Sequence, residues 1–189
     1  MIAIFDYGAG NLRSVQNTLA ELNCQYTLVR DSAGLNAASK IILPGVGHFG
    51  QMMRALDALG VRQTLLERMN SGVPFFGICL GMQALFESSE EAPEVRGLAL
   101  YSGAVRRFPA GARVPHMGWN SLEPTNRYVY FAHSYYVPEC PQTAAACTYG
   151  SVRFTAMLHA GNVYGVQFHP EKSGPVGLGI VREFLGLPC

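Results

Sequence analysis

Four short, continuous apolar runs punctuate the first eighty residues: IAIF (2–5), YTLVR (26–30), KIILP (40–44) and VPFFGI (73–78). Runs of this length are too short for core helices and read as strands, the third buried on both faces. Helical material separates them. NLRSVQNTLAEL sets Leu12, Val15, Leu19 and Leu22 at helical spacing behind Asn11 as N-cap, and MMRALDALGVRQTLLERM precedes the fourth run. Parallel neighbours need such crossovers, so the pattern commits the chain to an α/β fold with a mostly parallel sheet. After about Leu98 the pattern becomes hairpin-like: LALYSGAVRRF, YVYFAHSYYV and FTAMLHAGNVYGVQF, the last turning at Gly161-Asn162. The C-terminal half therefore reads as an antiparallel extension, and GPVGLGIVREFLGL as a closing helix. With 189 residues, 49% of them hydrophobic, the expectation is one compact domain over 1–189.

Composition excludes several function classes. A net charge of +1, with 14% charged residues and no long Lys/Arg run, leaves no electrostatic footprint for nucleic acid or an anionic membrane. The start MIAIFDYGAG lacks a basic leader, and no stretch of about eighteen apolar residues occurs, so a soluble, cytoplasmic protein is expected. The five cysteines, Cys24, Cys79, Cys140, Cys147 and Cys189, contain no C-x-x-C pair. Neither a disulfide framework nor a metal site is expected.

Among these cysteines, Cys79 has a context of its own. GICLG (77–81) is the cysteine counterpart of the G-x-S-x-G elbow, in which a strand ends, the chain turns sharply and a helix begins at the nucleophile. The helical pattern runs on through MQALFESSEE. A helix N-terminus favours thiolate and should pull its pKa below the free value of roughly 8.5. The other four cysteines lack this setting and read as core. A thiolate needs a base and a group to orient it. GVQFHPEKS supplies both: on an extended segment Glu171 lies on the same side as His169, with Pro170 stiffening the link. His48, His116, His133 and His159 have no acid two residues later. Backbone donors for a tetrahedral intermediate are expected from Leu80, after the nucleophile, and from PGVGHFG (44–50), chiefly Val46. Gln83, four residues after Cys79, falls on the nucleophile's face of a helix.

Taken together, PGVGHFG, GICLGMQ and FHPEKS, in this order and spacing, resemble the class I (triad) glutamine amidotransferases. DYGAGNLRSV, ESSEE and PHMGWN narrow the resemblance to the glutaminase subunits of imidazole glycerol phosphate synthases, in histidine biosynthesis. The resemblance spans essentially the whole chain. It implies a flavodoxin-like three-layer α/β/α sandwich and hydrolysis of glutamine to glutamate and ammonia without metal or organic cofactor. It also implies a heterodimer with a cyclase subunit of (β/α)8 form, which receives the ammonia. Position by position it makes Cys79 the nucleophile, His169 the base and then the acid, and Glu171 the orienting carboxylate. Gln83, Glu91, Gly47 and the backbone around Ser134 and Tyr135 correspond to substrate-binding positions. Asn11, Met117, Trp119, Asn120, Tyr130 and Lys172 correspond to positions at or near the cyclase.

Other classes fit parts of the chain. GAGNLR after a strand, with Asp31 after the next, suggests a nucleotide-binding module, although Arg13 stands where the third glycine belongs. The elbow also suits a cysteine hydrolase acting on another substrate, or the glutaminase of a different synthase. A non-catalytic scaffold would have no use for an intact triad.

Overall fold

The computed structural model describes residues 1–9 and 11–188. The four apolar runs become β1 (Ile2–Phe5), β2 (Tyr26–Val29), β3 (Lys40–Gly45) and β4 (Phe75–Cys79). Helix α1 (Leu12–Glu21) follows β1, although the Asn11 side chain makes no capping hydrogen bond. Helix α2 (Ser32–Ala37) forms where the apolar pattern gives no sign of one, capped by the Asp31 carboxylate, which accepts from the Gly34 N–H at 2.8 Å. Asp31 is thus spent on a helix end rather than offered to a ribose.

The helical stretch before β4 is two helices, α3 (Phe49–Ala58) and α4 (Arg62–Asn70). Gly60, at φ 65°, separates them. The Val61 N–H reaches back to the Leu56 carbonyl and the Gly60 N–H to Asp57, the paired closure that a left-handed glycine permits.

A second expectation is corrected after the nucleophile. Helix α5 lasts one turn (Leu80–Gln83), and β5 (Phe86–Ser89) follows where helix was expected through Glu91. Tertiary pairing overrides local pattern here. The carbonyls of Ala84 and Leu85 accept from Leu98 and Tyr101, β5 pairs with β6 (Tyr101–Arg107), and the buried Phe86 ring packs on Tyr101.

The remaining elements are β7 (His116–Leu122), β8 (Arg127–His133), β9 (Tyr135–Tyr136), β10 (Thr143–Tyr149), β11 (Val152–Ala160), β12 (Val163–Val166) and α6 (Gly174–Leu185). The central sheet runs β10-β11-β12-β4-β3-β1-β2, parallel from β12 to β2 and antiparallel at β10 and β11. Strand alternation divides its residues between two cores. Ala3, Phe5, Ile41, Leu43 and Phe75 face α2, α3 and α4, whereas Ile4, Ile42, Phe76 and Ile78 face α1 and α6. This is the three-layer arrangement, each fully buried Leu, Ile or Phe contributing about 1.5–3 kcal/mol. Among the described residues no helix is long and apolar enough to cross a membrane.

The sheet packs unusually tightly around the β4–α5 turn. A Cβ at Gly81 would lie 1.9 Å from the Leu43 carbonyl oxygen, and one at Gly45 would lie 2.6 Å from the Gly81 nitrogen. Both obstacles are backbone and cannot rotate away. Gly81→Ala is therefore expected to lower stability by about 1–3 kcal/mol in urea unfolding; an unchanged midpoint would show that the turn has room it does not display.

Candidate active site

Cys79 ends β4 at φ 54°, ψ −107°, a conformation rare for any residue with a side chain. The turn lifts its side chain out of the sheet at the carboxyl edge, where open α/β folds hold ligands. Leu80 is the first residue of α5, so its N–H belongs to the helix-start donors without an intrahelical acceptor.

His169 reaches the same edge from the neighbouring strand. Val166 of β12 pairs with Ile78 of β4, so both chains leave the sheet together. The sequence places Glu171 beside His169 on an extended segment; the structure instead folds Pro170–Lys172 into a turn of 3-10 helix. Pro170 occupies its first position, where a missing N–H costs nothing. The result is the same pairing by another route: His169 Nδ1 donates to Glu171 Oε1 at 2.9 Å, with both side chains buried. Burial on its own would lower the imidazole pKa. The hydrogen bonds and charges of Cys79 and Glu171 overcome it and push His169 up to about 10.

A cleft of about 230 Å³ opens over these groups. Its lining includes Val46, Gly47, Cys79, Leu80, Gln83 and Glu91, together with Met117, Ser134, Tyr135 and His169. Glu91 accepts a hydrogen bond from the Phe49 N–H at 2.7 Å and so tethers the start of α3 to the cleft. Gly47 sits at φ 94°, which explains a glycine where space is open. Both N–H donors of the Gln83 amide are engaged, on the Tyr135 carbonyl and on Gln167 Oε1, each at 3.0 Å. The Val46 N–H is turned to the Tyr7 hydroxyl, at 3.3 Å.

The positions expected at a partner surface lie around the β7–β8 ribbon. Its register places Trp119 opposite Tyr130 and Met117 opposite Ala132. Trp119 and Met117 are 56% and 64% exposed, which removes the tryptophan from the core. Lys172 stands over the Tyr130 ring, and half-buried Asn11 immediately precedes α1. Asn120 is turned differently, donating to the Thr148 carbonyl and lying near His116.

Comparison with known proteins bears on this geometry. Residues 3–185 match the glutamine amidotransferase class-I family. The imidazole glycerol phosphate synthase subunit HisH of Desulfitobacterium hafniense (strain Y51) is 48% identical, over 97% of this chain and 93% of its own. That of Methanothermobacter thermautotrophicus is 44% identical over 98% of both. This chain belongs to the class I glutamine amidotransferases. A chloroplastic Arabidopsis thaliana protein, imidazole glycerol phosphate synthase hisHF, is 42% identical over 98% of this chain but only 34% of its own length. A crystal structure of a glutamine amidotransferase shares the fold, with a TM-score of 0.77 at 20% identity over 97% of this chain and 96% of that one. PurLQS from Thermotoga maritima does so at a TM-score of 0.73 and 20% identity, with the same coverages.

This amidotransferase holds further polar groups that sequence reasoning passed over. Gln167 is wholly buried; its amide donates to Cys79 Sγ at 3.5 Å while its oxygen accepts from Gln83. An amide inside the apolar run GVQF has to spend its donors on something, and that was the available signal. His133 and His116 form a chain. The Tyr135 carbonyl can only accept, so His133 Nδ1 carries the proton (2.8 Å), and its Nε2 accepts from His116 Nδ1 at 3.0 Å. His133 must be neutral for this. Burial lowers His116 to about 4 and His133 to about 3. Burial also raises the Cys147 thiol to about 12, making it inert, while Cys24 and Cys140 are half-buried and Cys189 lies outside the described residues. Among the described residues no three His, Cys, Asp or Glu are grouped to hold a metal.

These environments predict distinct titrations. In imidazole NMR spectra, His169 is expected to stay protonated at pH 8 and His116 and His133 neutral at pH 5. Because the last two sit below the ordinary value of 6.5, the unfolded chain takes up protons that the native chain refuses. Their contribution to stability is present above about pH 6.5 and is lost as pH falls towards 4. His169, shifted upward, contributes at full strength throughout that range and does not offset the loss. The urea midpoint should thus fall between pH 7 and pH 5; protonation of either core histidine without loss of stability would contradict the assignment.

Proposed function

We propose that this chain, as one glutamine amidotransferase domain over residues 1–189, is the ammonia-producing subunit of an imidazole glycerol phosphate synthase. The observation that carries the reading is the convergence of a strained Cys79 and the His169–Glu171 pair at one cleft edge. Family membership and the relatives' names support glutamine as substrate and histidine biosynthesis as setting.

Cys79 Sγ attacks the side-chain amide carbon of glutamine after its proton has passed to His169. The carbonyl oxygen becomes the oxyanion of a tetrahedral adduct, met by the Leu80 N–H and by the Val46 N–H once that group is turned into the cleft. The C–N bond breaks as His169 returns a proton to the leaving nitrogen, releasing ammonia and leaving a glutamyl thioester. Water, deprotonated by His169, attacks the thioester; glutamate departs and the thiol is restored. Glu171 holds the imidazole's orientation throughout. Gly47, Gln83, Glu91 and the backbone at Ser134 and Tyr135 position the amino acid, with the Glu91 carboxylate facing its ammonium group.

Ammonia released into neutral water would be protonated and lost as a nucleophile. A partner that takes it directly answers that problem. The exposed Met117 and Trp119, with Tyr130, Lys172, Asn120 and Asn11, form the surface proposed to meet a (β/α)8 cyclase in a cytoplasmic heterodimer. That partner turns the ammonia and its ribotide substrate into imidazole glycerol phosphate and aminoimidazole carboxamide ribotide. The Arabidopsis relative, in which the matching segment is about a third of one chain, is in keeping with this reading.

Cys79→Ala is expected to abolish glutamine-dependent synthesis by the complex while ammonium salts still support it, measured as imidazole glycerol phosphate formed. Failure of ammonium to rescue would give Cys79 a structural role instead. Removing the base should cost roughly 10²- to 10⁴-fold in turnover. His169→Ala should therefore lose more than Glu171→Gln, and an equal or reversed loss in folded variants would overturn the roles assigned to the pair.

A further inference from the structure

The second oxyanion donor is occupied. The Val46 N–H donates to the Tyr7 hydroxyl at 3.3 Å, and the same hydroxyl donates to the Val46 carbonyl at 3.2 Å. One phenol thus grips the peptide groups on both sides of Val46. An N–H has a single direction, so this donor cannot serve the cleft while it serves Tyr7; the planar trans peptide turns the Gly45 carbonyl the opposite way. We infer that Tyr7 is a positioning residue for the reaction: its hydroxyl holds the Val46 N–H away from the cleft, and turnover rises when that hydrogen bond is exchanged for one to the developing oxyanion. The inference rests on the proposal that Val46 is the second donor.

Three features make Tyr7 suited to this. First, gripping both peptides takes a donor and an acceptor in one group, which a neutral phenol is and a phenolate is not. Burial raises its pKa to about 12 against the opposing Val46 hydrogen bond, and the nearby Cys79 and Asp6 add to the rise, so the hydroxyl stays neutral at working pH. Second, the ring is fixed. Tyr7 is 7% exposed and packs in the core beneath α3, while the neighbouring Asp6 is held by Arg30 Nε at 2.8 Å and accepts from the Gly8 N–H at 2.9 Å. Third, the two hydrogen bonds, at 3.2 and 3.3 Å, are longer than is usual for their types and therefore weak, so exchanging the N–H bond for a charge-assisted one is favourable.

The location supplies a trigger. Tyr7 follows β1 by two residues and Asn11 is the residue before α1, so the latch and the proposed partner surface lie four residues apart in the chain. A protein docking at Asn11 acts on the segment that holds Val46. The Leu80 N–H stays in place at the start of α5, so the free chain keeps one donor of two.

Tyr7→Phe removes the hydroxyl and little else. In the full chain, basal glutaminase kcat should rise about 10-fold or more with KM changed less than about twofold, since one oxyanion donor is worth on the order of 10²- to 10³-fold. Stimulation by the ligand-bound cyclase should shrink by the same factor. Amide hydrogen exchange should quicken at Val46 and not at Leu43. A thermally intact Tyr7→Phe variant with unchanged basal kcat and undiminished stimulation overturns the latch. Independently of that variant, an unprotected Val46 amide in the free wild-type chain overturns it as well. Val46→Pro separates the two proposals. If it is still strongly stimulated, Val46 is not the donor and the site reading fails; if it is inactive while Tyr7→Phe behaves as wild type, only the latch fails.

Discussion

The backbone of Cys79 is the constraint on which the rest depends. A residue with a side chain at φ 54°, ψ −107° costs of order 1–3 kcal/mol, and it persists because its surroundings permit nothing else. β3 and β4 run in parallel register up to the Gly45–Cys79 pair, and α5 is pressed so closely against β3 that Gly81 leaves no space for a Cβ before the Leu43 carbonyl. From that strain follow a Cys79 that is buried yet lines the cleft, the helix-start N–H of Leu80 that follows it, and a cleft at the sheet edge. β12, as the parallel neighbour of β4, delivers His169 to the same edge.

Around this turn the protein assigns protonation states by environment. His169 is buried but faced by the Glu171 carboxylate and Cys79, and holds its proton; His133 and His116 are buried without a carboxylate partner, His133 also within reach of the His169 charge, and cannot hold a second one. The distinction is useful. The acid for a leaving amine stays charged, while the pair that supports the Tyr135 carbonyl stays a fixed, uncharged hydrogen-bond chain. The β7–β8 ribbon then serves two purposes through strand alternation, with His116 and His133 turned inward and Met117 and Trp119 turned to solvent.

Much of this was legible in the sequence because it depends on local pattern. IAIF, KIILP and VPFFGI become parallel strands, and Gly161-Asn162 turns β11 into β12. What stayed hidden depends on partners distant in the chain. The helix after Cys79 ends at Gln83 because Leu98 and Tyr101 claim the backbone beyond it. Pro170 and Glu171 form a 3-10 turn, which no two-residue spacing reveals. Tyr7 and Val46 are 39 residues apart, and Gln167 and Cys79 are 88 apart. Motif spacing finds side chains that do chemistry; it does not find the hydrogen bonds that aim them.

The central claim is that this turn makes Cys79, and no other thiol, the nucleophile for a glutamine side chain. The direct measurement is to treat the protein with a glutamine-shaped diazoketone and locate the adduct by peptide mass spectrometry. The account predicts one adduct per chain, on Cys79, suppressed by glutamine and slowed when His169 is replaced. Labelling spread over Cys24 and Cys140, or an adduct on Cys79 that glutamine does not suppress, would contradict it.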